Sequence, residues 1–256
     1  MLLAQISDSH VTLPDAVTDY GGDTGPGLSR CVEELARMRP SPQAVIASGD
    51  LVNEGTVQEY ARFKHLLAAL TMPVFVIPGN HDRRDALRAA LRDHRYLPQS
   101  GPVCYAVEDW DMRLIALDTV LEGEEGGALD TGQLEWLDAT LSADRARPTM
   151  IVMHHPPFRT GIGRMDEIAL DAGSAARLGD IVERHPQIER IACGHVHRAA
   201  QVRWRGTLVS LCPSTAFQAR VNLGPEGEFA PTGEPPGYQM HYWNGEQLVT
   251  YSIFVS

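Results

Sequence analysis

The stretch "VFVIPGNHDRRD", residues 74–85, decides how the chain folds. Val74, Phe75, Val76 and Ile77 form a β-branched and aromatic run with no polar alternation, the pattern of a strand covered on both faces. The run stops at Pro78-Gly79, and Asn80, His81 and Asp82 follow at its carboxyl end. Three polar side chains there are either a plain turn or one corner of an active site.

Working outward, similar runs recur at "LLAQIS" (2–7), "AVIAS" (44–48), "RLIAL" (113–117), "TMIVM" (149–153), "RIAC" (190–193) and "TLVSL" (207–211). Helical periodicity lies between many of them. Over 28–38 one face carries Leu28, Val32, Leu35 and Met38; over 55–70 it carries Val57, Tyr60, Leu67 and Leu70. Thr131 is expected to cap a helix over 131–142 with Leu134, Leu137 and Leu141 inside. The end of 166–185 is expected to be helical, with Leu178, Ile181 and Val182 facing inward. Doubly apolar strands alternating with amphipathic helices imply a layered α/β fold.

After residue 212 the pattern changes. Residues 213–238 are rich in Gly and Pro and read as an irregular excursion, while Asn244-Gly245 between two strand-like runs signals a type I′ hairpin. Two segments are therefore expected: a domain over 1–212, and 213–256 as a loop plus a small C-terminal β appendage, serving as a cap or an oligomerisation segment.

Composition narrows the function. The 256 residues carry a formal charge of −11, with a pI near 5.3. Such a surface repels phosphate backbones and anionic lipid, so neither a nucleic-acid duplex nor a membrane is an expected partner. Cys31, Cys104, Cys193 and Cys212 form no CxxC and read as residues of a reduced protein. "MLLAQISDSH" lacks a basic leader, and no apolar stretch approaches the roughly 20 residues of a membrane span. A cytoplasmic location is expected.

Ligands of an α/β sheet sit beyond the carboxyl ends of its strands. Five strands here end in the same kind of chemistry: Asp8-Ser9-His10, Gly49-Asp50, Gly79-Asn80-His81-Asp82, His154-His155-Pro156-Pro157 and Gly194-His195-Val196-His197. These places hold six of the ten histidines. Alone, each piece reads blandly as a turn or loop. His195 and His197 are stronger, since residues two apart in an extended chain project to one side. Imidazole and carboxylate without thiolate suit Zn, Mn, Fe or Co. Seven candidate ligands exceed the needs of one tetrahedral ion, and two ions about 3.5–4 Å apart would use them all if one carboxylate bridges.

These blocks, in this order, resemble the signature of the calcineurin-like metallophosphoesterases. "GDLVNEGTVQEY", "IPGNHD", "MHHPP", "MDEIAL" and "CGHVH" are most similar to the glycerophosphodiesterase and class III cyclic-nucleotide phosphodiesterase branch. The resemblance implies an α/β/β/α sandwich with helices on its outer faces. It places Asp8, His10 and His197 on one metal, and Asn80, His154 and His195 on the other, with Asp50 bridging. It sets His155 beside the ligands and His81 beside the substrate phosphate. Asp82 is left between orienting the turn or His81 and a plain capping role. The arginine of the protein-phosphatase motif is missing from Gly49–Gly55, which argues against a phosphoprotein substrate.

Charge counting gives Asn80 a role. Two divalent cations with the carboxylates of Asp8 and Asp50 leave a net charge of about +2, which an aspartate at position 80 would erode. Coordination lowers the pKa of bound water to about 7, supplying hydroxide for in-line attack, and His81 is free to donate a proton to the leaving alkoxide. The expectation is a binuclear phosphodiesterase for small diesters, with His81, Asp50 and Asn80 in catalytic roles. The alternatives are a phosphomonoesterase or nucleotidase, and a non-catalytic binding module. Substrate choice is expected to reside in 11–27 and 213–238, with Phe217 and Arg220 as candidate contacts. The terminal hairpin exposes strand edges, and the resemblance implies a homo-oligomer.

Overall fold

The computed structural model describes residues 1–18, 21–224 and 228–256. Each apolar run named above is a strand. β1 (Leu2–Ile6), β2 (Ala44–Ser48) and β3 (Val74–Ile77) are parallel neighbours in a five-stranded sheet completed by the antiparallel hairpin of β10 (Gly237–Trp243) and β11 (Leu248–Phe254). The second sheet has the order β4-β5-β6-β7-β9-β8, from β4 (Tyr105–Val107), β5 (Arg113–Ala116), β6 (Thr149–Val152), β7 (Ile188–Cys193), β8 (Ala200–Trp204) and β9 (Thr207–Leu211).

The two sheets face each other, and helices cover their outer sides. Alternation along the second sheet makes this concrete. Leu114, Ala116, Met150, Val152 and Ala192 join the core shared with the first sheet. Their neighbours Ile115, Ile151, Met153, Ile191 and Cys193 join a separate core beneath the helices. That period of two is what a strand buried on both sides requires. Three helices, α1 (Gly25–Arg37), α2 (Val57–Leu66) and α3 (Arg84–Ala90), cover the first sheet through Leu28, Leu35, Tyr60, Phe63 and Leu87. The second sheet is covered by α4 (Thr131–Ala143) and α6 (Ala172–Arg184), through Leu134, Leu137, Leu178 and Ile181. A further short helix, α5 (Gly163–Glu167), lies between them in sequence. Each fully buried leucine or isoleucine contributes about 1.5–3 kcal/mol, so these two cores dominate stability.

Several local expectations are corrected. Asp130, not Thr131, caps α4, accepting from the Gln133 N–H at 2.8 Å within a capping box; Thr131 is the first helical residue. Val57 opens α2 and is 64% exposed, leaving the inner face to Tyr60 and Phe63. At the terminal hairpin only Gly245 has positive φ, whereas type I′ needs it at both central positions. The Asn244 side chain instead accepts from the N–H groups of Glu246 and Gln247. The hairpin also continues the first sheet, since Leu2–Gln5 pair with Gln239–Tyr242.

β3 lies at one edge of its sheet, and aromatic hydroxyls close it. Tyr96 accepts from the Val76 N–H and donates to the Val74 carbonyl, while Tyr105 donates to the Val76 carbonyl. That edge is thus blunted against strand addition.

Candidate metal centre

The five polar blocks converge at the carboxyl ends of β1, β2, β3, β6 and β7. Asp8, His10 and His197 offer ligand atoms within 4.8 Å of one another, and so do Asp8, Asp50 and His154. His10 Nε2 lies 3.0 Å from His197 Nε2 and 3.5 Å from Asp50 Oδ2. On the other side His154 Nε2 lies 3.3 Å from the same Asp50 oxygen. Asn80 Oδ1 sits 3.2 Å from His154 Nε2 and 3.1 Å from His195 Nδ1. All seven candidate ligands therefore meet, and Asp50 stands between the two groups.

The donors are oriented from behind. His154 Nδ1 contacts the Ser48 carbonyl at 2.9 Å and His197 Nδ1 the Phe217 carbonyl at 3.2 Å, turning each Nε2 inward. Asp8 accepts from the His195 N–H at 2.9 and 3.1 Å, tying the first block to the last. His195 turns its Nδ1 toward Asn80 Oδ1, into the cluster. Clustered imidazole nitrogens and carboxylate oxygens without thiolate fit a pair of borderline divalent cations.

Electrostatics follow the same logic. Burial raises the Asp8 carboxyl, against the pull of His197. Burial works the same way on Asp50, but His154, His81 and His10 outweigh it and hold that carboxyl well below its ordinary range. His154 is pulled up to about 9 against burial because Asp50 demands a positive charge on that side. A cation meets that demand as well as a proton does. Burial lowers His10, His195 and His197 instead, favouring the neutral, metal-binding ring.

His155 does not offer a free nitrogen. Its Nδ1 lies 2.8 Å from Thr119 Oγ1 and its Nε2 3.0 Å from the Glu125 carbonyl, while its ring packs on His195 at 4.5 Å. The site of Asp82 is settled too. It accepts from the N–H groups of Leu51 and Gly79 and from the Tyr60 hydroxyl, so it braces the turn and not His81. The His81 ring has its Nδ1 on the Asn53 carbonyl at 2.8 Å, and its backbone N–H donates to Asp50 at 2.8 Å.

Backbone conformation at the site is unusual. Asp8, His10, Asp50, His195 and His197 have φ of 50°, 39°, 49°, 71° and 53°. A non-glycine residue held there costs about 1–3 kcal/mol, which the surrounding packing must offset. Two glycines make the convergence possible. A Cβ on Gly49 would overlap the His154 ring, and one on Gly79 would overlap the Asp50 nitrogen and carboxylate. Gly79→Ala is therefore expected to destabilise the fold by about 1–3 kcal/mol and to weaken metal retention, read by urea unfolding and metal analysis of one preparation. Unchanged unfolding and metal content would show that the turn yields freely.

A cavity of about 280 Å³ opens over this cluster, lined by His10, Asn80 and His81 and walled by Met165, Ile168, Phe217 and Phe229, with Arg164 and Glu125 at its side. Sequence reasoning missed the contribution of α5 to this wall; only the stretch "MDEIAL" hinted at it. Phe217 of the 213–238 segment, weighed in the sequence between a substrate contact and an ordinary loop role, lies in the wall. Arg220 does not, and among the described residues neither does any part of 11–27.

Paired acid–imidazole groups at the strand ends of an α/β/β/α sandwich define a dinuclear metallohydrolase scaffold. The chain belongs to the calcineurin-like phosphoesterase family, whose model matches residues 1–199. It is 36% identical over 258 residues to the glycerophosphodiester phosphodiesterase GpdQ of Enterobacter lignolyticus, covering 98% of this chain and 90% of that protein. It is 33% identical over 219 residues to the 3',5'-cyclic adenosine monophosphate phosphodiesterase CpdA of Pseudomonas aeruginosa, covering 85% and 77%. Among solved structures, a dimetal phosphatase from Danio rerio shares the fold, with a TM-score of 0.72 at 15% identity, over 100% of this chain and 99% of that one.

Proposed function

We propose that the protein hydrolyses small phosphodiesters, glycerophosphodiesters or 3',5'-cyclic nucleotides, at a two-metal centre formed by Asp8, His10, Asp50, Asn80, His154, His195 and His197. The observation that carries this reading is the double cluster sharing Asp50. Its setting is a family whose similar members are named glycerophosphodiester and cyclic AMP phosphodiesterases. Two bound cations, from among Mn, Fe, Zn and Co, supply a water acidic enough to be deprotonated near neutral pH and neutralise the phosphate.

The chain's own residues do the rest. Asp50 holds the two halves of the centre together and, through its contact with the His81 N–H, fixes the position of that residue. Asn80 contributes an oxygen without a charge, keeping the centre cationic for an anionic substrate. His81, its Nδ1 fixed on the Asn53 carbonyl, directs Nε2 at the phosphoryl group and donates its proton to the departing alcohol. Burial disfavours a charged His81, while Asp50 and the Asn53 carbonyl raise its pKa above the ordinary value.

Residues 1–212 carry this chemistry, and the segment after them covers the cavity through Phe217 and Phe229. The exposed Tyr242, Tyr251 and Phe254 of the edge hairpin offer a surface for a second copy of the chain. All four cysteines are free and no helix among the described residues is long and apolar enough to cross a membrane, which supports a reduced, cytoplasmic setting.

Protein reconstituted with Mn²⁺ is expected to hydrolyse bis(p-nitrophenyl) phosphate, with kcat/KM at least equal to that for p-nitrophenyl phosphate. Arg164 at the side of the cavity is paired with Glu125, so it gives the site no special hold on a dianion. Absence of turnover with Mn, Co, Zn and Fe would reject the enzymatic reading, and a strong monoester preference would favour a phosphomonoesterase.

A further inference from the structure

The candidate ligands come from both sheets. Asp8, His10, Asp50 and Asn80 follow β1, β2 and β3 of the first sheet, while His154, His195 and His197 follow β6 and β7 of the second. Each half of the centre therefore closes only when the two sheets stand in one register. The apolar core between them does not set that register, because the hydrophobic effect has no direction. Hydrogen bonds across the gap do.

Gln5 of β1 makes such a bond directly beneath the ligand loops. It is fully buried. Its amide nitrogen donates across the gap to the Cys193 carbonyl of β7 at 3.2 Å, and within its own sheet to Ser48 Oγ of β2 at 2.8 Å. Cys193 stands two residues before His195, and Ser48 two before Asp50. Ser48 Oγ donates onward to Ser7 Oγ at 2.8 Å, and Ser7 Oγ to the Ser48 carbonyl at 3.4 Å, the same carbonyl that orients His154.

The amide has one workable orientation. A carbonyl only accepts, so the NH2 group must face Cys193, and Gln5 Oε1 is left facing His241 Nε2 at 3.0 Å. That nitrogen then carries the proton, and His241 Nδ1 accepts from Thr250 Oγ1 at 2.9 Å. Burial pushes the His241 ring down to a pKa of about 3, so it is neutral and has a single N–H for this contact.

We infer that Gln5, held by His241, is a positioning residue for the metal centre: it locks β7 against β1 and β2 so that ligands from the two sheets meet. This rests on the two-metal reading and names residues that tune its affinity from beneath. The partners of Gln5 keep other bonds without it. The Cys193 carbonyl also accepts from the Cys212 N–H at 2.8 Å, and Ser48 retains Ser7. Gln239 is the natural comparison. It lies opposite Gln5 on β10 and crosses the gap in the same way, to the Leu211 carbonyl of β9 at 2.9 Å, but no candidate ligand follows β9.

The test measures Mn²⁺ dissociation constants by competition with a chelating dye, and urea unfolding of the same proteins without metal. Gln5→Met leaves the His241 N–H unpaired, so Gln5→Met/His241→Phe, which removes both polar partners, is made beside it. Both are expected to bind Mn²⁺ about 10–100-fold more weakly than wild type, the loss typical when a group orienting a ligand is removed. The double variant is expected to keep the wild-type urea midpoint, and Gln239→Met to keep the wild-type affinity. Unchanged affinity in both Gln5 variants overturns the inference. So does an equal loss in Gln239→Met, or a loss that only accompanies a lower urea midpoint in every Gln5 variant. Failure of the two-metal reading looks different, because the wild type itself would then take up fewer than two equivalents.

Discussion

His81→Ala is expected to lower kcat by about 10²–10⁴-fold while the protein still binds two metal equivalents. Asn80→Ala is expected to lower turnover as well, but with metal lost from the His154–His195 side. The contrast follows from geometry. Asn80 Oδ1 lies 3.2 and 3.1 Å from the nitrogens of two candidate ligands, whereas His81 Nδ1 is spent on the Asn53 carbonyl. Turnover of an alkyl phosphodiester, beside elemental analysis of the same samples, separates the two effects. The leaving group sharpens the test. An alcohol of low pKa needs no proton, so the deficit of His81→Ala should shrink for p-nitrophenyl esters and be largest for alkyl esters. An equal deficit for both would remove His81 from the role of acid. Loss of metal from His81→Ala would instead make it a ligand.

The second large effect is chelation. Stripping the protein of metal is expected to abolish hydrolysis, leave the far-UV circular dichroism intact, and lower the melting temperature by about 10 °C. The last figure assumes a metal concentration near a thousand times Kd, where binding contributes about 4 kcal/mol, and a shift of about 2–4 °C per kcal/mol for a domain of this size. The fold should survive because its two apolar cores owe nothing to the site. Restoring Mn²⁺ is expected to recover both properties. Cooperative unfolding on chelation alone would mean that the ions are structural. Activity that persists without metal would reject the centre altogether.

Much of this was legible because the site lies where the sequence changes character. Strands β1, β2, β3, β6 and β7 are mostly apolar, so the polar clusters just past their carboxyl ends stand out, and those clusters hold the candidate ligands. Elements that lack such a boundary escaped. Strand β8 is a half-exposed edge with no apolar pattern, and β4 has three residues. The short α3 begins in the charged run after Asp82 and reads as part of the turn. The α5 wall was hidden for another reason: a five-residue helix contributes Met165 but has no periodicity to display. The hairpin was visible as a pair of strands, yet its place beside β1 depends on a pairing more than two hundred residues apart in sequence, which no local pattern encodes.

The left-handed residues Asp8, His10, Asp50, His195 and His197 have a bearing on how such a protein could lose its chemistry over time. Glycine occupies that region of conformational space without penalty, so a change such as His197→Gly relaxes the backbone at the moment it disarms the catalyst. Selection for sturdiness alone would therefore drift toward an inert scaffold of the same shape. Only a continuing demand for turnover keeps a lineage bent at all five places.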